Sequence, residues 1–512
     1  MKYRNPLLPG FYPDPSVCRV GEDYYLVNSS FEFFPGVPLW HSRDMVNWES
    51  LGYVLTRRSQ LELDGSRVSG GIFAPTIRFH NGKYYMITTN VTHGGNFVVT
   101  ADDPKGPWSE PVWIDQGGID PSLFWDEDGK VYMQRTHTDD QGMQCIGQFE
   151  VDLETGKVLS EVRPIWYGTG GKCPEGPHIY KIFGKYYLMI AEGGTEYGHM
   201  ETIARSDSIW GPFESCPRNP ILTHRNLNPR NGEAQGLGHA DLVEDGKGNW
   251  WMVFHGIRPS QFMLHHMGRE TMLAPVTWDE EGWPVVGEGK PIQWEMEGPG
   301  VPEQTLPDGF AVQNTFVQED DFTTAKELSP LWSYLRNPYE ENYQLDQGLI
   351  LTAGKDDLES LGSPTFLGRR QQHFDATVKT VMEFAPQSEK AEAGLTVFHT
   401  KDHHYDLVVT RREGKRVAFL RRRSADMLVE SQPVFLPEEG KLTLTIQAGR
   451  LAFEFFVQTE GGEPQSLGTA STQLISTECM ICTFTGCFFG MYCQGEPGAK
   501  ATFEQFSYRP QA

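Results

Sequence analysis

FYPDPSVCRVGEDYYLV, Phe11–Val27, is the stretch whose reading decides the fold. An acid between two prolines opens it. A short apolar run, a Gly-centred turn and an aromatic pair starting a second apolar run follow. This is the signature of a β-hairpin with a carboxylate at the mouth of its first strand. The chain then repeats it: APTIRFHNGKYYMITT from Ala74, IDPSLFWDEDGKVYMQRT from Ile119, PEGPHIYKIFGKYYLMIAEGG from Pro174 and GHADLVEDGKGNWWMVFHG from Gly238. Internal repeats of about fifty to sixty residues signal a radial or stacked architecture.

The turn-side aromatics align as Tyr25, Tyr85, Tyr132, Tyr187 and Trp251. Eleven or twelve residues earlier stand Asp14, Ala74, Asp120, Glu175 and His239. Each unit closes with a further strand pair: WHSRDMVNW, VVTADDPKGPW, FEVDLETGKV, IARSDSIWGPF and LAPVTWDEEGWP. Four strands per unit and five units predict a five-bladed β-propeller over residues 1–295. In such a ring the first strand of each blade lines the central axis. Asp14, Asp120, Glu175 and His239 are therefore expected around one funnel. Three buried carboxylates in one place are costly. An Asp that merely caps a turn accounts for one DPS motif, but not for two of them and a PEGP in the same register. Ring closure is expected between residues around Lys2–Leu8 and the last blade.

The segment EMEGPGVPEQTLPDGFAVQ, Glu295–Gln313, is rich in Pro, Gly and acids, and residues 296–315 read as a linker. From about Phe316 the pattern changes to short alternating strands: LILTAG, ATVKTVMEF, GLTVFHT, YDLVVTRR, KLTLTIQ and LAFEFFVQT. These predict a β-sandwich over 316–512, so the chain is all-β in two domains. His403 and His404 follow Lys401 and Asp402 and read as a turn. Of eight cysteines, Cys479 and Cys482 form a lone CxxC. The run CMICTFTGCFFGMYC reads as buried strand, not as a metal or redox site.

The net charge of −24 and a sequence pI near 5.1 argue against nucleic acid and anionic membranes as partners. The amino terminus carries no apolar signal core, and no run approaches a membrane span. With sparse cysteines, this gives a cytoplasmic expectation. A neutral polar substrate fits the composition, and aromatic residues at 12% suggest aromatic-lined sites.

Two carboxyl groups flanking a substrate are the minimum for glycoside hydrolysis, and a third can raise the pKa of the acid. A single in-register His without HxxH or HxH spacing argues against a metal catalyst. Spacing leaves the roles of the three acids open.

FYPDPS, GGIDPSLF and CPEGPHIYK resemble the three acid motifs of glycoside hydrolase family 43. GIFAPTIRFHNGKYYM, GLGHADLVEDGKGNWW and GRETMLAPVTWDEEGWP resemble further family segments. The carboxyl-terminal region resembles the accessory domain of the two-domain branch of β-xylosidases and α-L-arabinofuranosidases. The resemblance implies an inverting exo-glycosidase that releases terminal β-D-xylose from short xylo-oligosaccharides. α-L-Arabinofuranosidase, dual activity and a non-catalytic sugar-binding propeller are the alternatives. It implies Asp14 as general base, Asp120 as pKa modulator and Glu175 as general acid. Arg269 would meet sugar hydroxyls, and His239 would orient the base or a bound ion. Phe31 and Phe73 would wall the terminal sugar, with Phe at 73 where the family often has Trp. One of Phe484, Phe488 and Phe489 would close the rim from the sandwich. No cofactor is required, structural Ca²⁺ on the axis near His239 is the one ion allowed for, and a homo-oligomer is left open.

Overall fold

The computed structural model describes residues 2–228, 232–300, 317–481 and 483–511. Among these, regular structure is β-strand with a few 3-10 turns. Five sheets form the five blades. Blade one is Ser16–Val20, Asp23–Val27, Gly36–Ser42 and Glu49–Leu55, paired in that order. Blades two to five begin at Thr76, Ser122, Glu175 and Gln235 and repeat the antiparallel meander. In the HNGK turn of blade two, Asn81 and Gly82 both sit at positive φ (49° and 79°), the geometry of a type I′ hairpin.

Successive blades pack face to face through apolar side chains. Val27, Leu39, Ile77 and Phe97 join blades one and two, and Ile87, Val98, Leu123 and Met133 join two and three. Leu26, Trp40, Trp251 and Leu273 join five back to one, with Tyr3, Leu7 and Leu8 of the amino terminus among them. Closure falls where expected: Lys2–Arg4 pairs with Glu295–Glu297, and the Leu7 amide donates to Thr271 O at 2.8 Å. Residues 296 and 297, placed in the linker by composition, therefore belong to the closing strand. Most of that linker, 301–315, lies outside the described residues.

The second domain is a sandwich of an eight-stranded and a seven-stranded sheet. All six predicted strand segments are present. Ala376–Glu383 alternates buried and exposed along its length, as a strand with one face on a core must. Two expectations need correction. His403 and His404 begin the strand His403–Arg412 and are buried, the turn having ended at Lys401–Asp402, and His404 Nδ1 meets Asp406 at 2.9 Å. CMIC is not buried strand: Cys479 is exposed, Ile481 is 93% exposed and residue 482 lies outside the described residues. The strand begins only at Phe488.

The sandwich seats itself on the propeller mouth. Tyr334–Leu335 pairs with Phe33–Phe34, and Asn337 both accepts from the Leu63 amide and donates to Leu61 O. Arg370 donates to Phe11 O at 2.8 Å and lies over the rings of Phe11, Tyr12 and Phe488.

Candidate active site

Strand pairing locates the axial ring. The turn aromatics Tyr25, Tyr85, Tyr132, Tyr187 and Trp251 pair with Cys18, Arg78, Phe124, Tyr180 and Val243. Four residues earlier stand Asp14, Ala74 and Asp120, each just before its first strand, and Gly176 and His239 within theirs. Asp14, Asp120, Gly176 and His239 share positive φ, between 51° and 57°. For the three with side chains this is a costly conformation that the surrounding structure must impose, as at many active sites. Glu175 is thus one residue outside the common register. The pairing of its strand shifts between Glu175 and His178, and Gly176 takes the left-handed position.

Asp14 is 4% exposed, and an arginine, a hydroxyl and two imidazoles crowd its carboxylate. Arg269 Nη1 donates to Oδ1 at 2.6 Å and Nη2 to Oδ2 at 3.3 Å, while Ser29 Oγ donates to Oδ2. His255 Nδ1 lies 3.0 Å and His239 Nδ1 3.7 Å from Oδ1. Burial by itself pushes the Asp14 carboxyl up, but Arg269, then His239 and His255, together hold it well below the usual carboxylate range. His255 is pushed down to about 3 by burial and then by Arg269.

The other two acids move the opposite way. Burial, then the charges of Glu175 and Asp14, pushes Asp120 well above the usual range. Burial, then the charge of Asp14, pushes Glu175 up to about 7 against the pull of Arg269 and Lys172. One carboxylate held ionised beside a coupled pair that keeps a proton towards neutral pH is the split that acid–base catalysis needs.

Glu175 lines two cavities. One, of about 490 Å³, lies towards the sandwich and is bounded by Thr195, Tyr197, His265, Arg269, Glu478 and Phe484. The other, of about 430 Å³, lies towards blade three beside Ile119, Arg135, His137 and Cys173. An aromatic wall stands against Arg269, the partner of Asp14. Phe31, Phe73 and Phe484 pack mutually at 5.2–6.0 Å between ring centroids, and the Arg269 guanidinium lies 5.7 Å from both Phe31 and Phe484. Phe484 is placed by its own backbone: its amide donates to Ser69 Oγ at 2.9 Å, and its carbonyl accepts from Arg269 Nη2 at 3.4 Å.

Phe488 and Phe489 do not reach this wall. Both are fully buried, Phe488 stacked on Phe33 at 4.1 Å and Phe489 in the sandwich core against Phe453 and Tyr508. Alternation along the strand Phe488–Gln494 turns them to opposite faces of a covered sheet.

Sequence reading missed a second polar ring one step below the first. At two residues past the ring position stand Ser16, Thr76, Ser122, His178 and Asp241, all buried. Asp241 accepts from Ser16 Oγ at 2.7 Å, Tyr180 OH at 2.6 Å and Arg78 at 2.7 and 3.1 Å, and Arg78 also donates to His178 Nδ1. The signal was available as a polar residue at the same offset in all five repeats. Thr195, Ser29 and His255, from second strands and their loops, carried no such signal.

Around His239 lie the imidazoles of His255, His199 and His178 and the carboxylates of Asp14, Asp241 and Glu201, the last accepting from the His239 amide. Ca²⁺ takes six to eight oxygens, and Asp14 and Asp241 are already paired with arginines. Among the described residues no three His, Cys, Asp or Glu side chains converge as a metal shell.

The family model of the glycosyl hydrolases family 43 matches residues 3–284, the propeller with all three acids. The chain belongs to glycoside hydrolase family 43. The model of the β-xylosidase carboxyl-terminal concanavalin A-like domain matches 319–509. A non-reducing end α-L-arabinofuranosidase of Bacteroides ovatus is 42% identical over 99% of this chain and 94% of its own length. A xylosidase/arabinosidase of Butyrivibrio fibrisolvens is 37% identical over 98% of each. The crystal structure of a xylan β-1,4-xylosidase from Bacillus halodurans superposes with a TM-score of 0.93 at 36% identity, covering 99% of this chain and all of the other. This family 43 chain is a glycosidase with the two-domain architecture of those relatives.

Proposed function

We propose that the enzyme hydrolyses a terminal pentose from short oligosaccharides with inversion, β-D-xylose from xylo-oligosaccharides being the preferred reading. The observation that carries the mechanism is the split among the acids: Asp14 held ionised under Arg269, and Glu175 raised to about 7 at the cavity edge. Glu175 gives its proton to the leaving glycosidic oxygen. Asp14 takes a proton from the water that attacks the anomeric carbon on the opposite face. Asp120 and Glu175 titrate as one coupled pair, so charge on either disfavours charge on the other and a proton stays in the pair towards neutral pH. Arg269 meets the sugar hydroxyls and holds Asp14 in place, while the Phe31–Phe73–Phe484 wall limits the pocket to one terminal sugar. His239, 3.7 Å from Asp14, orients the base. No cofactor enters this scheme.

The second reading is release of α-L-arabinofuranose. It is favoured by the name of the Bacteroides ovatus relative and by the double name of the Butyrivibrio one. Side-by-side hydrolysis of aryl β-D-xyloside and aryl α-L-arabinofuranoside decides between them. Xyloside turnover at least ten times faster supports the first reading, and the reverse ratio replaces it with the second. Proton NMR of the first-formed sugar tests the mechanism under either reading: retained anomeric configuration would sink it.

A further inference from the structure

Glu175 stands at the end of the loop Gly168–Pro174, and its backbone is held between two left-handed residues, Cys173 at φ 53° and Gly176 at φ 57°. Such a conformation persists only where the surroundings over-determine it. The surroundings here converge on one side chain. Glu192 ends the second strand of blade four, next to Ala191, the strand partner of Glu175. It is fully buried. Its carboxylate accepts from the Thr169 amide at 3.0 Å, the Thr169 hydroxyl at 2.9 Å, the Gly171 amide at 2.9 Å and the Thr202 hydroxyl at 2.6 Å, all neutral donors. Three of these four donors come from the loop that carries the acid.

The loop is cut to fit this carboxylate. A Cβ added at Gly168 would meet Glu192 Oε1 at 2.5 Å, and one at Gly171 would meet Glu192 Cβ at 2.9 Å. Two further bonds complete the frame, Gly193 amide to Lys172 O at 2.8 Å and Cys173 amide to Gln144 Oε1 at 3.2 Å. A buried acceptor that satisfies two backbone amides cannot be removed without leaving those amides unpaired.

We propose that Glu192 is a positioning residue for the general acid: it fixes the 168–171 loop and, through it, the place of the Glu175 carboxyl against the leaving oxygen. The inference rests on the reading of Glu175 as general acid. Glu192 touches no substrate, so its effect must appear only where proton donation matters. A misplacement of about 1 Å in a catalytic group can cost on the order of 10²-fold.

The test compares Glu192→Met, which keeps the side chain's size and removes the acceptor of both loop amides, with Thr169→Val, which removes one loop donor and leaves the carboxylate. Each is assayed on xylobiose and on an aryl xyloside whose leaving group needs no proton. Glu175→Gln is run in parallel, with melting temperatures for all. The expected result for Glu192→Met is a fall in kcat of about 10- to 100-fold on xylobiose. KM should stay within about twofold and aryl turnover should be nearly unchanged, while Thr169→Val shows a smaller effect in the same direction. Equal losses on both substrates, or none, in folded Glu192→Met or Thr169→Val overturn the inference. If Glu175→Gln still separates the two substrates, the positioning role falls alone. If Glu175→Gln also loses both equally, the general-acid reading falls with it.

Discussion

Replacing Phe484 by Ala separates the two roles available to an aromatic in the sandwich domain. The ring is half-buried, packs on Phe31 and Phe73, and faces Arg269. Its backbone bonds to Ser69 and Arg269 survive the substitution. A terminal sugar covering about 50 Å² of this ring, at about 25 cal/mol/Å², gains about 1.3 kcal/mol, roughly tenfold in KM. The stability cost is confined to two aromatic contacts of about 0.5–1.5 kcal/mol each, part of which solvent already replaces. Phe488→Ala and Phe489→Ala differ, since both rings are fully buried. Each leaves a core cavity and costs about 3–5 kcal/mol. At about 2–4 °C per kcal/mol for a domain near this size, that is roughly 6–20 °C of melting temperature. KM for xylobiose and thermal melts of the three variants make the assay. Phe484→Ala should raise KM about tenfold and melt within a few degrees of the parent. An early-melting Phe484→Ala with unchanged kinetics would refute the placement of the wall.

Three further outcomes follow from the charges. Asp120→Asn should move the alkaline limb of the pH–rate profile down from about 7, because Glu175 works protonated and loses a repelling neighbour, the limb being a property of the coupled pair. An unmoved limb would remove Asp120 from that role. Arg269→Met should move both limbs up: Asp14 keeps its burial without its main cation, and Glu175 also loses that cation. A profile that keeps its limbs would contradict the pairing. Glu175 has a folded pKa near 7 against an ordinary 4.5, so stability falls as pH rises through that window. The span of 7 − 4.5 = 2.5 at 1.36 kcal/mol each sets a ceiling of about 3 kcal/mol, and partial solvent contact lowers it to about 1–3. Glu175→Gln should therefore melt higher than the parent at pH 8 and not at pH 4. Identical melting differences at the two values would count against a buried carboxylate there.

The repeat and its mouth acids carried the propeller, because every blade needs the same hairpin and carboxylates recur at one register of it. Counting back from the turn put Glu175 in that ring. Its actual place one residue earlier depends on an irregularity between Glu175 and His178, which strand spacing does not record. The polar ladder ending in Asp241 was readable two residues along from the acids, whereas its partner Arg78 came from another blade and depended on closure. FTGCFFG offered three equivalent phenylalanines. What distinguishes Phe484 is a bond from its amide to Ser69, 415 residues earlier in the chain. His403 looked like turn because Lys401 and Asp402 are turn residues, and strand His403–Arg412 starts immediately after them.

The assignment of acid and base is tested most directly by Asp14→Asn and Glu175→Gln on two substrates, xylobiose and an aryl xyloside whose leaving group needs no proton. On xylobiose both should lose about 10²- to 10⁴-fold, the usual worth of a placed base or acid. On the aryl substrate Asp14→Asn should lose as much as before, and Glu175→Gln should recover most of the parent rate. Equal losses by Glu175→Gln on both substrates would contradict the account.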